Sequence, residues 1–202
     1  MIHPATELRL VDPVIGYGVF ATAPIARGPI VWALDPLDRV LTQAEIAALP
    51  AALALDAERH LWLDRDGRYV LAWDLARFVN HSCAPNCVTA AFGYEIAVAD
   101  IAAGDQLTND YAELGMLPGE TMACGCRAPG CRRTVASAQA PSIRSALAAP
   151  LAQAIARPGA VEQPLWSLLP GHARDHLLAA HDRDASIGPR RRIRDVKAAT
   201  GG

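Results

Sequence analysis

Arg77-Phe78-Val79-Asn80-His81-Ser82-Cys83-Ala84-Pro85-Asn86-Cys87 sets an amide, an imidazole and two thiols in one short segment led by apolar residues. Polar groups packed this densely need partners when buried, so the run reads as the inside of a site. Downstream, Cys124-Gly125-Cys126 and Cys131 form a C-x-C-x4-C cluster, three soft ligands and one short of a closed four-thiolate zinc site. By spacing, Cys83 or Cys87 would complete it. A fold that joined the two stretches would couple metal binding to assembly of a pocket, because the binding energy becomes folding energy.

The chain has 202 residues, 51% of them hydrophobic, enough for one sizeable domain and a small appendage. With 19 basic and 21 acidic residues the formal charge is -2, so no overall pull toward nucleic acid or anionic membrane is expected. Met1-Ile2-His3-Pro4 begins no basic region with an apolar stretch behind it, and the apolar run 46–55 is short and broken by Pro50. The expectation is a soluble, cytoplasmic protein without a Sec-type signal, with leaderless export left open. Cys124 and Cys126 are too close to bridge each other, and five cysteines are an odd count, which favours metal binding in a reducing compartment. A thiol-redox pair is the competing reading, and it predicts no metal.

Short β-type segments separated by turn signals fill 17–22, 30–34, 61–64, 68–72, 88–92 and 94–99. Asp66-Gly67 predicts a hairpin between the third and fourth of these, through a turn with positive φ at both central residues, and Gly93 a second hairpin. Thr42-Gln43-Ala44-Glu45 is a capping box, opening a helix that runs toward Leu49 and stops before Pro50. Ala23-Pro24-Ile25-Ala26-Arg27-Gly28 resembles Ala99-Asp100-Ile101-Ala102-Ala103-Gly104, which suggests two similar strand-to-strand turns. From Ala136 the texture turns to Ala, Pro and Gln, with Pro141, Pro150, Pro158 and Pro164 reading as a linker. A helical pattern follows over 170–181, then an aperiodic basic tail, 190–202, for which disorder is expected.

Four motifs then fall into one order: Gly16-Tyr17-Gly18-Val19-Phe20; the run 77–86; Gly104-Asp105-Gln106-Leu107-Thr108 with Tyr111; and Cys124, Cys126, Cys131. Together they resemble the SET-domain protein lysine methyltransferases with post-SET cysteines, over roughly 7–135. The resemblance implies a mainly β fold of small sheets, in which the 77–86 segment threads under the Tyr111 segment in a pseudoknot-like crossing. It implies a SET domain over 7–118, a post-SET zinc motif over 119–135, and 136–202 as linker, helix and tail. S-adenosylmethionine would be held by Gly16, Tyr17, Gly18, Arg77, Asn80 and His81. Tyr111 would be catalytic, and Asn109 with Tyr111 would line the substrate pocket. Cys83, Cys124, Cys126 and Cys131 would hold a structural zinc, leaving Cys87 a spare thiol. The implied partner is a protein offering a lysine-bearing segment; nucleic acid and membrane are not implied, and the oligomeric state is unspecified.

Methyl transfer from a sulfonium to an amine is an in-line displacement that needs alignment more than acid-base power, and a tyrosine oxygen can orient both reactants. The lysine must be neutral, which at pH 7 costs roughly 4 to 5 kcal/mol for a side chain of pKa about 10.4. An apolar channel that desolvates the ammonium lowers that cost, with Phe20, Trp62 and Trp73 as candidate walls. Two positions depart from the family. Asn109 stands where Phe or Tyr usually controls space around the amine, which implies a roomier or wetter pocket tolerating more than one methyl. His60 stands where a second active-site tyrosine is common. These departures motivate a second reading, a catalytically weak SET-derived module that binds peptide without turnover. A zinc hydrolase needs an open metal position, and four thiolates leave none. His172 and His176, four apart, read as a surface helix.

Overall fold

The computed structural model describes residues 1–53, 59–64, 66–90 and 93–184, and side chains as far as His181. β1 (Thr6–Asp12) and β2 (Gly16–Ala21) form an antiparallel ribbon with an irregularity between Leu10 and Asp12. β3 (Ile30–Ala33), β9 (Tyr94–Ala97) and β8 (Cys87–Ala90) form a three-stranded antiparallel sheet in that spatial order. β4 (Arg39–Leu41), β6 (Tyr69–Leu71) and β5 (Trp62–Leu63) form another. Two more sheets are minimal: β7 (Asn80–His81) runs parallel to β10 (Thr108–Asn109), and β11 (Thr121–Ala123) pairs antiparallel with β12 (Thr134–Ala136).

The capping box forms as read. Thr42 Oγ1 accepts from the Glu45 N–H at 3.3 Å, the Glu45 carboxylate accepts from the Thr42 N–H at 2.7 Å, and α1 (Gln43–Ala47) follows. The β5–β6 hairpin also forms, but its turn differs from the expectation: of the two central residues only Gly67 has positive φ, 73°. The reason lies in Asp64, whose Oδ1 accepts from both the Asp66 and Arg68 N–H groups at 2.9 Å, a wider Asx-type closure that leaves Asp66 in an ordinary conformation. The two hexapeptides that resemble each other pair with each other, Ile25 and Ile101 exchanging both backbone hydrogen bonds at 2.9 and 2.8 Å. Of the strand expected over 88–92, residues 91 and 92 lie outside the described residues, as does the tail.

α2 (Tyr111–Leu114) is a single turn capped by Asp110. The Ala/Pro-rich stretch expected as a linker instead contains α3 (Ala140–Ile155). Pro141 sits in its first turn, where no intrahelical N–H bond is lost, and Pro150 is carried inside it because Leu147, Leu151 and Ile155 pack against the core. α4 (Gly171–Asp184) is the helix expected over 170–181.

The β3–β9–β8 sheet is covered on both faces. One face, with Ile30, Val88, Tyr94 and Ile96, packs on Leu165, Leu169, Ala173 and Leu177 of the C-terminal region. The other, with Trp32, Cys87 and Ala97, joins Val19, Ile25, Val70, Ile101 and Leu107. Gln163 ties the C-terminal region to the sheet edge, donating to Gly28 O and accepting from Ile30 N–H, both at 2.9 Å.

Candidate active site and cysteine cluster

The parallel β7–β10 pair lays the two sequence motifs side by side. Ser82 N–H donates to Asn109 O at 2.9 Å, and Tyr111 N–H donates to His81 Nδ1 at 3.1 Å. The Tyr111 hydroxyl donates to Val79 O at 2.9 Å, which fixes the phenol. Burial pushes its pKa up to about 12, and Glu95 adds to the shift, so the phenol is neutral at physiological pH.

His81 Nδ1 accepts from Tyr111, so in the neutral imidazole Nε2 carries the proton and faces Cys83 Sγ at 3.4 Å. Burial lowers the His81 pKa, with Asp110 opposing, which agrees with a neutral ring. Asp110 and Arg132 close the other side in a two-pronged pair, Nη1 to Oδ2 at 2.7 Å and Nη2 to Oδ1 at 2.9 Å. Neither Asp110 nor Arg132 was singled out in the sequence; pairing across 22 positions leaves no local pattern.

The cysteines meet. Cys83 Sγ lies 3.7 Å from Cys124 Sγ, which lies 3.6 Å from Cys131 Sγ, while Cys83 N–H points to Cys126 Sγ at 3.5 Å. Sulfurs about a tetrahedral zinc, each at about 2.3 Å, are separated by roughly 3.8 Å, so the Cys83–Cys124 and Cys124–Cys131 spacings suit the ion and are far too long for disulfides. Backbone N–H groups of Arg132 and Arg133 aim at Cys83 and Cys131 sulfurs, both at 3.4 Å. Arg127 and Arg133, at φ 57° and 64°, are the two positive-φ residues other than glycine among the described residues, and both lie in this loop. Such strain persists where the surroundings over-determine it. His81 joins Cys83, Cys124 and Cys126 in a group whose ligand atoms all lie within 4.8 Å of one another, a group that does not include Cys131. Its Nε2 proton bars it from ligation while Tyr111 N–H occupies Nδ1. Cys87 lies apart, buried in β8 with its thiol against Asn86 Oδ1 at 3.4 Å.

At the glycine pair, Asn80 Nδ2 donates to Tyr17 O at 2.9 Å. A Cβ on Gly18 would fall 2.7 Å from Gln106 Nε2 and 2.9 Å from Asn80 Nδ2, so only glycine admits this approach. Gln106 Nε2 is buried without a hydrogen-bond partner among the described residues, a donor available to a ligand. Gly16 takes φ 82°, and Tyr17 is half-exposed, its ring edge-on to Phe78 at 6.3 Å. The Arg77 guanidinium donates to the carbonyls of Trp73 and Asp74, and its own carbonyl meets His60 Nδ1 at 3.0 Å.

A cavity of about 230 Å³ adjoins Tyr111, walled by Trp32, His60, Trp62, Val79, Glu95 and Asn109. Trp62 therefore lines it, edge-on to Trp32 at 5.4 Å. Trp73 instead is exposed and donates to Asp35, and Phe20 packs under the Arg9 guanidinium. Trp32 and Glu95 escaped the sequence reading. The signal for Glu95 was present, one carboxylate inside the otherwise apolar strand Tyr94-Glu95-Ile96-Ala97.

Residues 16–112 match the SET domain family. The chain is 31% identical over 145 residues to the histone-lysine N-methyltransferase ash1 of Drosophila melanogaster, covering 66% of this chain and 6% of that protein. It is 28% identical over 142 residues to the histone H3-lysine(4) N-trimethyltransferase ATX1 of Arabidopsis thaliana, covering 62% and 13%. A human H3 lysine-36 specific histone-lysine N-methyltransferase is 36% identical over 86 residues, covering 39% and 3%. The chain thus spans a small fraction of the length of these relatives. Among the described residues no helix is long and apolar enough to cross a membrane. The small sheets, the parallel β7–β10 pair beside Tyr111 and the matched motifs converge: residues 16–112 of this chain are a SET domain.

Proposed function

We propose that the chain transfers a methyl group from S-adenosylmethionine to a lysine side chain of a protein substrate. The observation that carries this reading is the phenol of Tyr111, held by Val79 O at the wall of a cavity next to the Asn80–His81 strand. Gly16, Tyr17, Gly18, Asn80 and His81 would hold the cofactor, which supplies an electrophilic methyl on a sulfonium. The unpartnered Gln106 amide and the glycine-only approach at residue 18 suit a ligand there. Arg77 supports the turn that leads into this strand and shapes the cavity wall. Tyr111 orients the incoming amine, and the aromatic walls exclude water so that the neutral amine is favoured.

Cys83, Cys124, Cys126 and Cys131 would hold a structural zinc, with His81 Nε2–H donating to the Cys83 thiolate. Reduced thiols in that role fit a cytoplasmic setting. A lysine-bearing protein segment is the partner that a pocket of this size suits. Labelling of a whole proteome with methyl-labelled S-adenosylmethionine tests the reading. The native chain labels one or more proteins and Tyr111→Phe loses on the order of 10²-fold of that rate, as expected when reacting atoms are misaligned. Equal labelling by the two, or none by either, overturns it.

A further inference from the structure

Glu95 lines the cavity without a role in binding the cofactor or fixing Tyr111, and its placement is unusual. It sits at the centre of the three-stranded sheet, opposite Trp32 on β3 and Thr89 on β8, in a strand whose other residues are buried and apolar. Strand alternation turns it away from Tyr94 and Ile96 and toward the cavity that it shares with Tyr111 and Asn109. It is 7% exposed. Around it the cavity wall carries polar atoms without hydrogen-bond partners among the described residues: both side-chain polar atoms of Asn109, itself 2% exposed, and the indole Nε1 of Trp32. Asn109 lies close enough to favour the Glu95 carboxylate without forming a hydrogen bond of good geometry. Groups left unpaired at this depth cost stability, and their convergence on one cavity marks a place for a polar ligand.

We propose that Glu95 is the proton acceptor for the substrate ammonium and that Asn109 then holds the resulting amine. The inference rests on the methyl-transfer reading. The lysine ammonium enters the cavity and passes one proton to the Glu95 carboxylate, giving a neutral amine and a neutral acid. The amine nitrogen bonds to the methyl carbon while the carbon–sulfur bond breaks, its electron pair remaining on sulfur. The product leaves as a methylammonium, and Glu95 returns its proton to solvent. Burial raises the Glu95 carboxyl to about 7, with Glu113 adding to the shift and Asn109 and the Met1 ammonium opposing it, so proton uptake and release are both accessible near neutrality. Arg59, His60, Arg77, Tyr111 and Glu120 line the same cavity, and Cys87 lies close enough to feel its charge; burial raises the Tyr111 and Cys87 values and the Glu95 charge raises them further.

The test compares the native chain with Glu95→Gln, using methyl-labelled S-adenosylmethionine with mixed core histones and a lysine-bearing peptide library. Near neutral pH the variant loses on the order of 10²-fold in turnover, the usual worth of a positioned base. The native rate rises through about pH 7 and levels off. The variant's rate keeps climbing toward about pH 10, where lysine deprotonates unaided. S-adenosylmethionine affinity by calorimetry is unchanged, and thermal unfolding shows the variant folded. A variant with native turnover, or with lowered turnover and an unaltered pH profile, overturns the role of Glu95 alone. A native chain that labels nothing overturns both this and the reading on which it rests.

Discussion

Glu95 makes the residue scale concrete, because the chemistry proposed for it carries a stability cost that can be measured without any substrate. Its carboxyl is raised from 4.5 to about 7 by burial. Between those values the folded chain binds a proton that the unfolded chain has lost, so stability falls as pH rises across that window. For a shift of this size the fall totals about 3 kcal/mol. Glu95→Gln abolishes it: in denaturant titrations the variant is more stable than the native chain above pH 7, and the gap closes toward pH 4.5. A gap that is absent, or that widens at low pH, contradicts the assignment. Asn109 supports a second expectation. Its unpartnered carboxamide leaves polar room beside the amine, so mass spectra show products with more than one methyl, and Asn109→Phe narrows them to fewer. Strictly monomethylated product, unaltered in the variant, counts against it. At this scale the sequence was most informative where a motif is contiguous: Asn80, His81 and Tyr111 come together as their order implied. Glu95 was missed although its lone carboxylate stands out in an apolar strand, because motif and periodicity weigh strings of residues and not a single exception, and Arg132 because its partner is distant in sequence.

At the scale of elements, the cysteine loop is fastened to the site by more than sulfur. β11 and β12 frame it as a hairpin, Arg132 N–H reaches Cys83 Sγ, and the Arg132 guanidinium grips Asp110, the residue that caps α2 and precedes Tyr111. The Asp110 side chain is 1% exposed. Arg132→Ala would leave that carboxylate buried and unpaired, a loss of roughly 3 to 5 kcal/mol. An unfolding free energy that changes by less than about 0.5 kcal/mol, the range typical of a surface position, would contradict that role. Chelation of zinc should likewise loosen the hairpin, read as faster amide exchange over 119–135, while β8 and β9 stay protected. Element types were legible wherever a local rule applied. The Thr42 capping box formed as read, and the hairpin at Gly67 formed with a wider turn because Asp64 closes it from its side chain. α3 was hidden because four prolines between 141 and 164 read as breakers, whereas Pro141 occupies a first turn and Pro150 is tolerated by packing.

Across the whole molecule, the C-terminal region acts as the second wall of the central sheet. Ile30, Val88 and Ile96 are buried against Leu165, Leu169 and Leu177, on the face opposite the one that holds Glu95. The site's strand is therefore positioned from behind by residues far from it in sequence. Leu177 is 1% exposed, and Leu177→Ala should cost about 2 to 5 kcal/mol by chemical denaturation. A cost under about 1 kcal/mol, the range typical of a surface position, would show this packing to be loose. Long-range packing of this kind was beyond a reading by motif, since an amphipathic helix does not name the sheet it covers.

The central claim, that this pocket moves a methyl group onto lysine, is met most directly by tandem mass spectrometry of mixed core histones and the lysine-bearing peptide library after incubation with the zinc-loaded chain and S-adenosylmethionine. The account predicts added methyl groups localised to lysine side chains and lost with Tyr111→Phe. S-adenosylmethionine bound to the chain with every lysine unmodified would contradict it, and would identify instead a SET-derived module that binds without turnover.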